Sequence, residues 1–232
     1  MLPIYISVNY IIMDRRCLSK SEKIIGNLLL EWWKKNKRFF PWRRRKNPYA
    51  ILIAEMLLRK TTAKQVENMY SSFLKNYPTP KVLSEADEKE LSKILTPLGI
   101  EHHRASLFVK FGKTIVDNYK GKIPITEKEL LKLPGVGLYA TNAVLSFSQN
   151  INVPLVDTNF IRIIERVFDF TSSKARARND SKIWEFAGEL IPNGKSREFN
   201  LAVLDFAATV CKSRNPECSS CPIIQICAFQ KK

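Results

Sequence analysis

Three stretches of the chain hold residue types whose spacing could do chemistry. Cys211, Cys218, Cys221 and Cys227 form C-x6-C-x2-C-x5-C near the end of the 232 residues. Four thiolates so close together can hold one tetrahedral zinc or one cube of four irons and four sulfurs. Structural zinc sites more often use two CxxC knuckles, and only Cys218 and Cys221 form one, so the spacing favours the iron–sulfur cluster, with zinc as the alternative. Asp157 opens DTNFIRIIERVF at the N-cap position of a helix. The bland role there is capping, worth about 1 kcal/mol; the chemical one uses a carboxylate at a helix end whose dipole favours negative charge. Glu55 is the single acid in YAILIAEMLLRK. Among Ile51, Leu52 and Leu58 it should lose solvation, its pKa should rise, and it could then donate a proton near neutral pH. Pairing with Arg59 at i+4 is the alternative.

Between the two acids, a helix opened by Thr126 and Glu129, spaced as a capping box, runs into Pro134-Gly135-Val136-Gly137 and then LYATNAVLSFS. This is a helix, a hairpin and a helix. Two glycines allow a sharp turn, and the free amides opening the second helix suit a phosphate. The balance of 38 Lys+Arg against 22 Asp+Glu leaves +16, which favours a polyanionic partner, nucleic acid before an anionic membrane surface. RFFPWRRRKN, residues 38–47, suits either a loop meeting phosphates and bases or a basic loop whose aromatics tuck into the core. The leading apolar run from Leu2 to Met13 is too short to span a bilayer and lacks a basic start or cleavage site. The expectation is an intracellular protein with no membrane association. Four clustered cysteines, with Cys17 far away, point to a metal rather than to disulfides.

These groups need helices to hold them. Ile24, Ile25, Leu28, Leu29 and Trp32 follow Ser19 and Glu22 at helical spacing, predicting a helix to about Lys35. Asn47-Pro48 caps the Glu55 helix, and short connections then link helices from Thr62, after Thr79-Pro80, over Glu88–Leu95, and after Leu98-Gly99-Ile100. Further helices are predicted at Lys182–Leu190 and Arg197–Val210. His102 and His103 lack companions for a metal set and are assigned to helix-start or backbone contacts. No segment reads as a paired strand, so the fold class is all-α, with about ten helices and no internal repeat.

In this order the motifs resemble the helix-hairpin-helix DNA glycosylases of the endonuclease III and MutY superfamily, over about residues 20–229. LPGVG before an apolar helix, VDTNFIRIIERVF and the cysteine tail are similar to its hairpin, catalytic-aspartate and cluster signatures. FPWR and PYAILIAEMLLRKT look like the MutY side. The resemblance implies two helical domains with a DNA cleft between them: a six-helix barrel with the hairpin, 48–156, and a cluster domain of 18–47 plus 157–232, with 1–17 an unassigned leader. It implies a [4Fe-4S] cluster on the four cysteines and double-stranded DNA with a damaged or mismatched base as partner. It also implies action as a monomer and a DNA-associated place inside a prokaryotic, archaeal cell.

By the same resemblance, the target nucleotide is flipped out of the duplex. Asp157 would stabilise an oxocarbenium-like sugar and orient water, Glu55 would supply a proton to the leaving base, and Tyr139 would pack against the flipped nucleotide. Gly135, Val136 and Gly137 would meet a phosphate. Leu98, Gly99 and Ile100 fall where members push a loop beside the estranged base. Arg59 and Lys60 stand where MutY-type members carry Gln-Gln, and Lys212 and Arg214 would face the DNA backbone. Bifunctional members carry a lysine just after the hairpin that forms a Schiff base with the sugar; the position looks to be Tyr139, which cannot. Adenine-removing members normally add a large C-terminal recognition domain, whereas the sequence ends five residues after Cys227. Tyr139, LLRKTT and the bare cluster end resemble the archaeal Mig-type thymine-DNA glycosylases. The expectation is monofunctional removal of thymine or uracil opposite guanine. An adenine or oxidised-pyrimidine glycosylase is the alternative within the enzyme class. A non-catalytic hairpin module is the alternative outside it, and needs neither acid.

Overall fold

A computed structural model describes residues 20–230, and among them every regular element is helical, as expected. In order these are α1 (Lys20–Asn36), α2 (Pro48–Leu58), α3 (Ala63–Asn76), α4 (Pro80–Ser84), α5 (Glu88–Leu95), α6 (Glu101–Tyr119), α7 (Glu127–Leu130), α8 (Leu138–Gln149), α9 (Thr158–Phe168), α10 (Ser181–Glu189) and α11 (Ser196–Thr209). Short 3-10 turns cover Pro41–Arg44 and parts of the cysteine region. Ser19, Cys17 and the leader lie outside the described residues.

Most helix starts follow from their caps. The Asn47 side chain accepts from the amides of Tyr49 and Ala50 ahead of an N1 proline. Thr62 and Gln65 form a reciprocal capping box on α3, and Asp87 caps α5. The box expected of Thr126 and Glu129 does not form: Thr126 makes no side-chain cap, and α7 is four residues long. Glu129 accepts instead from the Tyr119 hydroxyl at 2.8 Å and pairs with Lys132 at 2.8 Å. Two stronger partners outcompete a distant backbone amide.

Apolar side chains gather in two clusters. The first runs in sequence from Tyr49 to Leu155 and is filled by α2, which buries eight of its eleven residues, with Tyr70, Phe73, Phe108 and Phe111 around it. The second combines Ile25, Leu29 and Trp33 of α1 with residues from Val156 to Cys227. Within it α9 buries Phe160, Ile161, Ile163, Ile164 and Val167 on one face, the helical period of an amphipathic segment. That leaves Arg162 and Arg166 on its other side. Phe147 of α8 packs against both clusters. Beside it the buried Asn200 amide donates to Ser146 Oγ at 3.0 Å and to the Val153 carbonyl at 2.9 Å. A satisfied buried amide of this kind fixes α11 against the end of α8 and the segment beyond it.

Candidate active site

The segment that delivers Asp157 has no helix of its own, and side chains hold it instead. Asn142 Nδ2 donates to the Pro154 carbonyl at 2.8 Å, and the Leu155 amide donates to Asn200 Oδ1 at 2.9 Å. Asp157 then caps α9, Oδ1 accepting from the amides of Asn159 at 2.9 Å and Phe160 at 2.8 Å. Its other oxygen accepts from Asn159 Nδ2 at 2.7 Å. Asn159 Oδ1 accepts in turn from Arg162 Nη1 at 2.9 Å, and the same guanidinium donates to the carbonyls of Cys211 and Ala207. One turn on, Arg166 donates to the carbonyls of Lys212 and Ser213. A chain of donors therefore runs from the cysteine loop to Asp157. The sequence reading missed Asn159, Arg162 and Arg166; their signal was polar spacing along the half-buried side of α9.

Glu55 carries the perturbation its sequence predicted. Burial pushes its pKa up to about 7, the Asp157 charge adds to the rise, and Arg43 opposes it. The alternative partner, Arg59, turns away, its Nη1 3.4 Å from the Gly135 carbonyl. Burial also holds the Tyr139 hydroxyl well above its ordinary pKa, with Glu55 and Asp157 next in effect and Arg43 again opposing. Tyr139 packs against the first cluster. Glu55, Asp157 and Tyr139, each half-buried, thus lie within electrostatic reach of one another and of the Arg43 guanidinium.

Arg43 was not singled out from sequence. It leaves the RFFPWRRR loop with its side chain 11% exposed and places Nη1 2.7 Å from Oδ2 of Asp205, which is fully buried on α11. Trp33 Nε1 and the Arg38 amide donate to the same oxygen at 2.8 and 3.0 Å. Arg197 ties the loop down again, donating to the Arg43 carbonyl at 2.6 Å and to the Phe147 carbonyl. The aromatics of this loop divide between packing and exposure. Trp42 stacks on Phe40 at 4.7 Å and meets Tyr70 edge-on at 5.7 Å, while Phe39 stays 72% exposed.

At the hairpin the two glycines play different parts. Gly135 is left-handed at φ +76, and a Cβ there would lie 2.9 Å from the Leu107 side chain. Gly137 is extended, φ −104 and ψ −177, a conformation open to other residues. A Cβ on it would meet nothing within 4 Å, so glycine there keeps the approach to the α8 amides clear. Gly137 caps α8 without a side-chain hydrogen bond, leaving first-turn amides unclaimed. Val136 is buried behind them. Arg59 and Lys60 are exposed, Lys60 in the left-handed region. Leu98 is turned into the core, so Gly99 and Ile100 alone reach outward from that loop. Lys212 pairs with Glu217 at 2.6 Å, and Arg214 is exposed.

Cys211, Cys218, Cys221 and Cys227 are free thiols lining one cavity, with Arg166, Val167 and Phe206 in its wall. Burial pushes the Cys221 thiol up to about 11, a backbone hydrogen bond from Ile223 offsets part of this, and the other three thiols add to it. Among the described residues no three His, Cys, Asp or Glu side chains are arranged to hold a single metal ion. His102 Nδ1 lies 2.9 Å from Ser92 Oγ, a contact inside the helical scaffold.

Residues 53–187 match the HhH-GPD superfamily of base excision DNA repair proteins. The chain is 42% identical over 208 residues to a thymine/uracil-DNA glycosylase of Pyrobaculum aerophilum, covering 88% of this chain and 90% of that protein. It is 42% identical to a thymine-DNA glycosylase of Aeropyrum pernix, covering 87% and 92%. A thermostable thymine-DNA glycosylase structure superposes with a TM-score of 0.87 at 34% identity, covering 91% of this chain and 97% of that one. The chain belongs to the HhH-GPD superfamily of base excision DNA repair proteins.

Proposed function

We propose that this protein is a monofunctional DNA glycosylase that hydrolyses the N-glycosidic bond of thymine or uracil mispaired with guanine. The observation that carries the reading is that the charges of Asp157 and Glu55 act on one another beside Tyr139; by the family resemblance, Tyr139 holds the position at which bifunctional members carry their Schiff-base lysine. The names of its relatives give the base class. In this reading the barrel is residues 48–156, the remainder forms the cluster domain, and duplex DNA enters between them to act with a single protein copy inside the cell. The free α8 amides and the hairpin turn meet a phosphate, while Arg59, Lys60, Gly99, Ile100 and Arg214 face the duplex. Lys212, part-exposed in a surface ion pair with Glu217, faces the duplex beside Arg214.

The chemistry divides between two acids. As the bond from C1′ to the pyrimidine nitrogen breaks, its electron pair leaves with the base and positive charge builds on the sugar. Asp157, held from behind by Asn159, stabilises that charge and takes the proton of the water that attacks C1′. Glu55, protonated below about pH 7, gives its proton or a hydrogen bond to the departing base. Tyr139 closes the pocket wall, and Arg43 moderates the negative charge of the pair.

The four thiols fit a [4Fe-4S] cluster: they surround a common cavity rather than one ion-sized point, and Arg166 Nη1 stands 3.7 Å from Cys211 Sγ, a donor suited to a cluster thiolate. When bound, the cluster would fix the cysteine loop and, through Arg162 and Asn159, the position of Asp157. Iron and acid-labile sulfide in the purified protein test this; zinc in their place would overturn it. The catalytic reading has its own test. Borohydride added during turnover on a G:U duplex should trap no protein–DNA adduct, and strong trapping would show that a lysine forms a Schiff base after all.

A further inference from the structure

Arg104, on the first turns of α6, is 4% exposed and, among the described residues, forms no ion pair with a carboxylate. Its guanidinium is satisfied by three backbone carbonyls. Nε donates to Gly99 at 2.9 Å, Nη1 to Met56 at 3.0 Å and Nη2 to Arg59 at 2.5 Å. Two of those carbonyls close the C-terminal end of α2, where orphan acceptors and the helix dipole welcome a cation. The third belongs to the 98–100 loop. The residues just beyond these acceptors are strained: Lys60 at φ +56 and Ile100 at φ +48. A β-branched side chain in the left-handed region is a true outlier, costing on the order of 1–3 kcal/mol, and persists only where its surroundings impose it. Ile100 is nonetheless 55% exposed, so its own packing does not hold it there.

Other bonds tie the same surface together. Gln65 Nε2 donates to the Pro97 carbonyl at 3.1 Å, and Arg59 reaches the hairpin at Gly135. Three loops distant in sequence are therefore one hydrogen-bonded unit, with Arg104 at its buried centre. Glu55 precedes Met56 on the helix whose end that guanidinium grips.

We infer that Arg104 is a positioning residue that locks the end of α2 and the 98–100 loop into one preformed wedge, presenting Ile100 to duplex DNA. The inference rests on the glycosylase reading of the cleft. A wedge matters when a base must be parted from its partner. It matters little when no partner exists, because the cost of opening the pair has already been removed.

Single-turnover base release is therefore compared on uracil opposite guanine and uracil opposite an abasic analogue, using the full chain with its cysteine site loaded. Arg104→Lys keeps a buried cation but cannot span three carbonyls. It should slow the G:U duplex at least tenfold and change the abasic-opposed substrate by less than twofold. Gly99→Ala, whose Cβ meets nothing within 4 Å but whose φ of +70 is then strained, should show the same selective loss, and it decides the matter if Arg104→Lys does not fold. Combining Gly99→Ala with Arg104→Lys should add little to the larger single effect. Equal losses on both substrates, or no loss on either, would overturn the inference. Failure of the unaltered protein to release uracil from either duplex would sink the glycosylase reading instead.

Discussion

Asp157→Asn is expected to lower single-turnover base release roughly a thousandfold, about 4 kcal/mol on the barrier, while DNA binding persists. The size of the effect follows from charge rather than from fold. Asparagine is as good an N-cap as aspartate, so Oδ1 can still accept from the amides of Asn159 and Phe160, and α9 stays closed against the second hydrophobic cluster. What is lost is the negative charge beside the sugar and the acceptor for the proton of water. Measuring binding by a mobility or anisotropy assay and chemistry by base release separates the two. Turnover retained within a few-fold would remove Asp157 from the mechanism.

Glu55→Gln is expected to lower kcat/KM by roughly 10²–10⁴-fold, the range for a positioned general acid. It should also change the pH profile. In the free protein Glu55 titrates at about 7 instead of 4.5, so the competent protonated form dominates below neutrality and kcat/KM should fall as pH rises through about 7. The Gln variant should lack that descending limb. Stability gives a second reading of the same group. The unfolded chain releases the Glu55 proton near the ordinary carboxylate value while the folded chain keeps it, so folding loses stability between about pH 4.5 and 7. Denaturant midpoints of the native protein should therefore fall relative to those of Glu55→Gln across that window. Parallel curves would mean that Glu55 is not buried as a neutral acid.

Local chemistry was legible in the sequence because its signals are local. Four cysteines in one short tail, an acid alone in an apolar helix, a glycine turn between helices and a capping aspartate each declare themselves within one short stretch of sequence. Nothing local links Asp157 and Glu55, which only the resemblance put at one nucleotide; in the fold the charge of Asp157 acts on Glu55. The missed groups act across the chain. Arg43 is defined by Asp205, and Arg104 by Met56 and Arg59. An arginine destined for a buried carboxylate or for helix-end carbonyls looks in sequence like one more contribution to a basic surface. Residue type marked the 98–100 loop and the hairpin turn, but backbone direction, set by tertiary packing, decides that Leu98 faces in and that Gly135 rather than Gly137 is left-handed.

Base specificity is the central claim, and one experiment meets it directly. Duplexes carrying G:T, G:U, adenine opposite oxidised guanine, and thymine glycol are each mixed with excess protein and assayed for base release in a single turnover, with strand scission scored before and after alkali. Release of thymine and uracil opposite guanine, with strands intact until alkali is added, is the predicted result. Release of adenine or thymine glycol in preference to both, or scission without alkali, would contradict it.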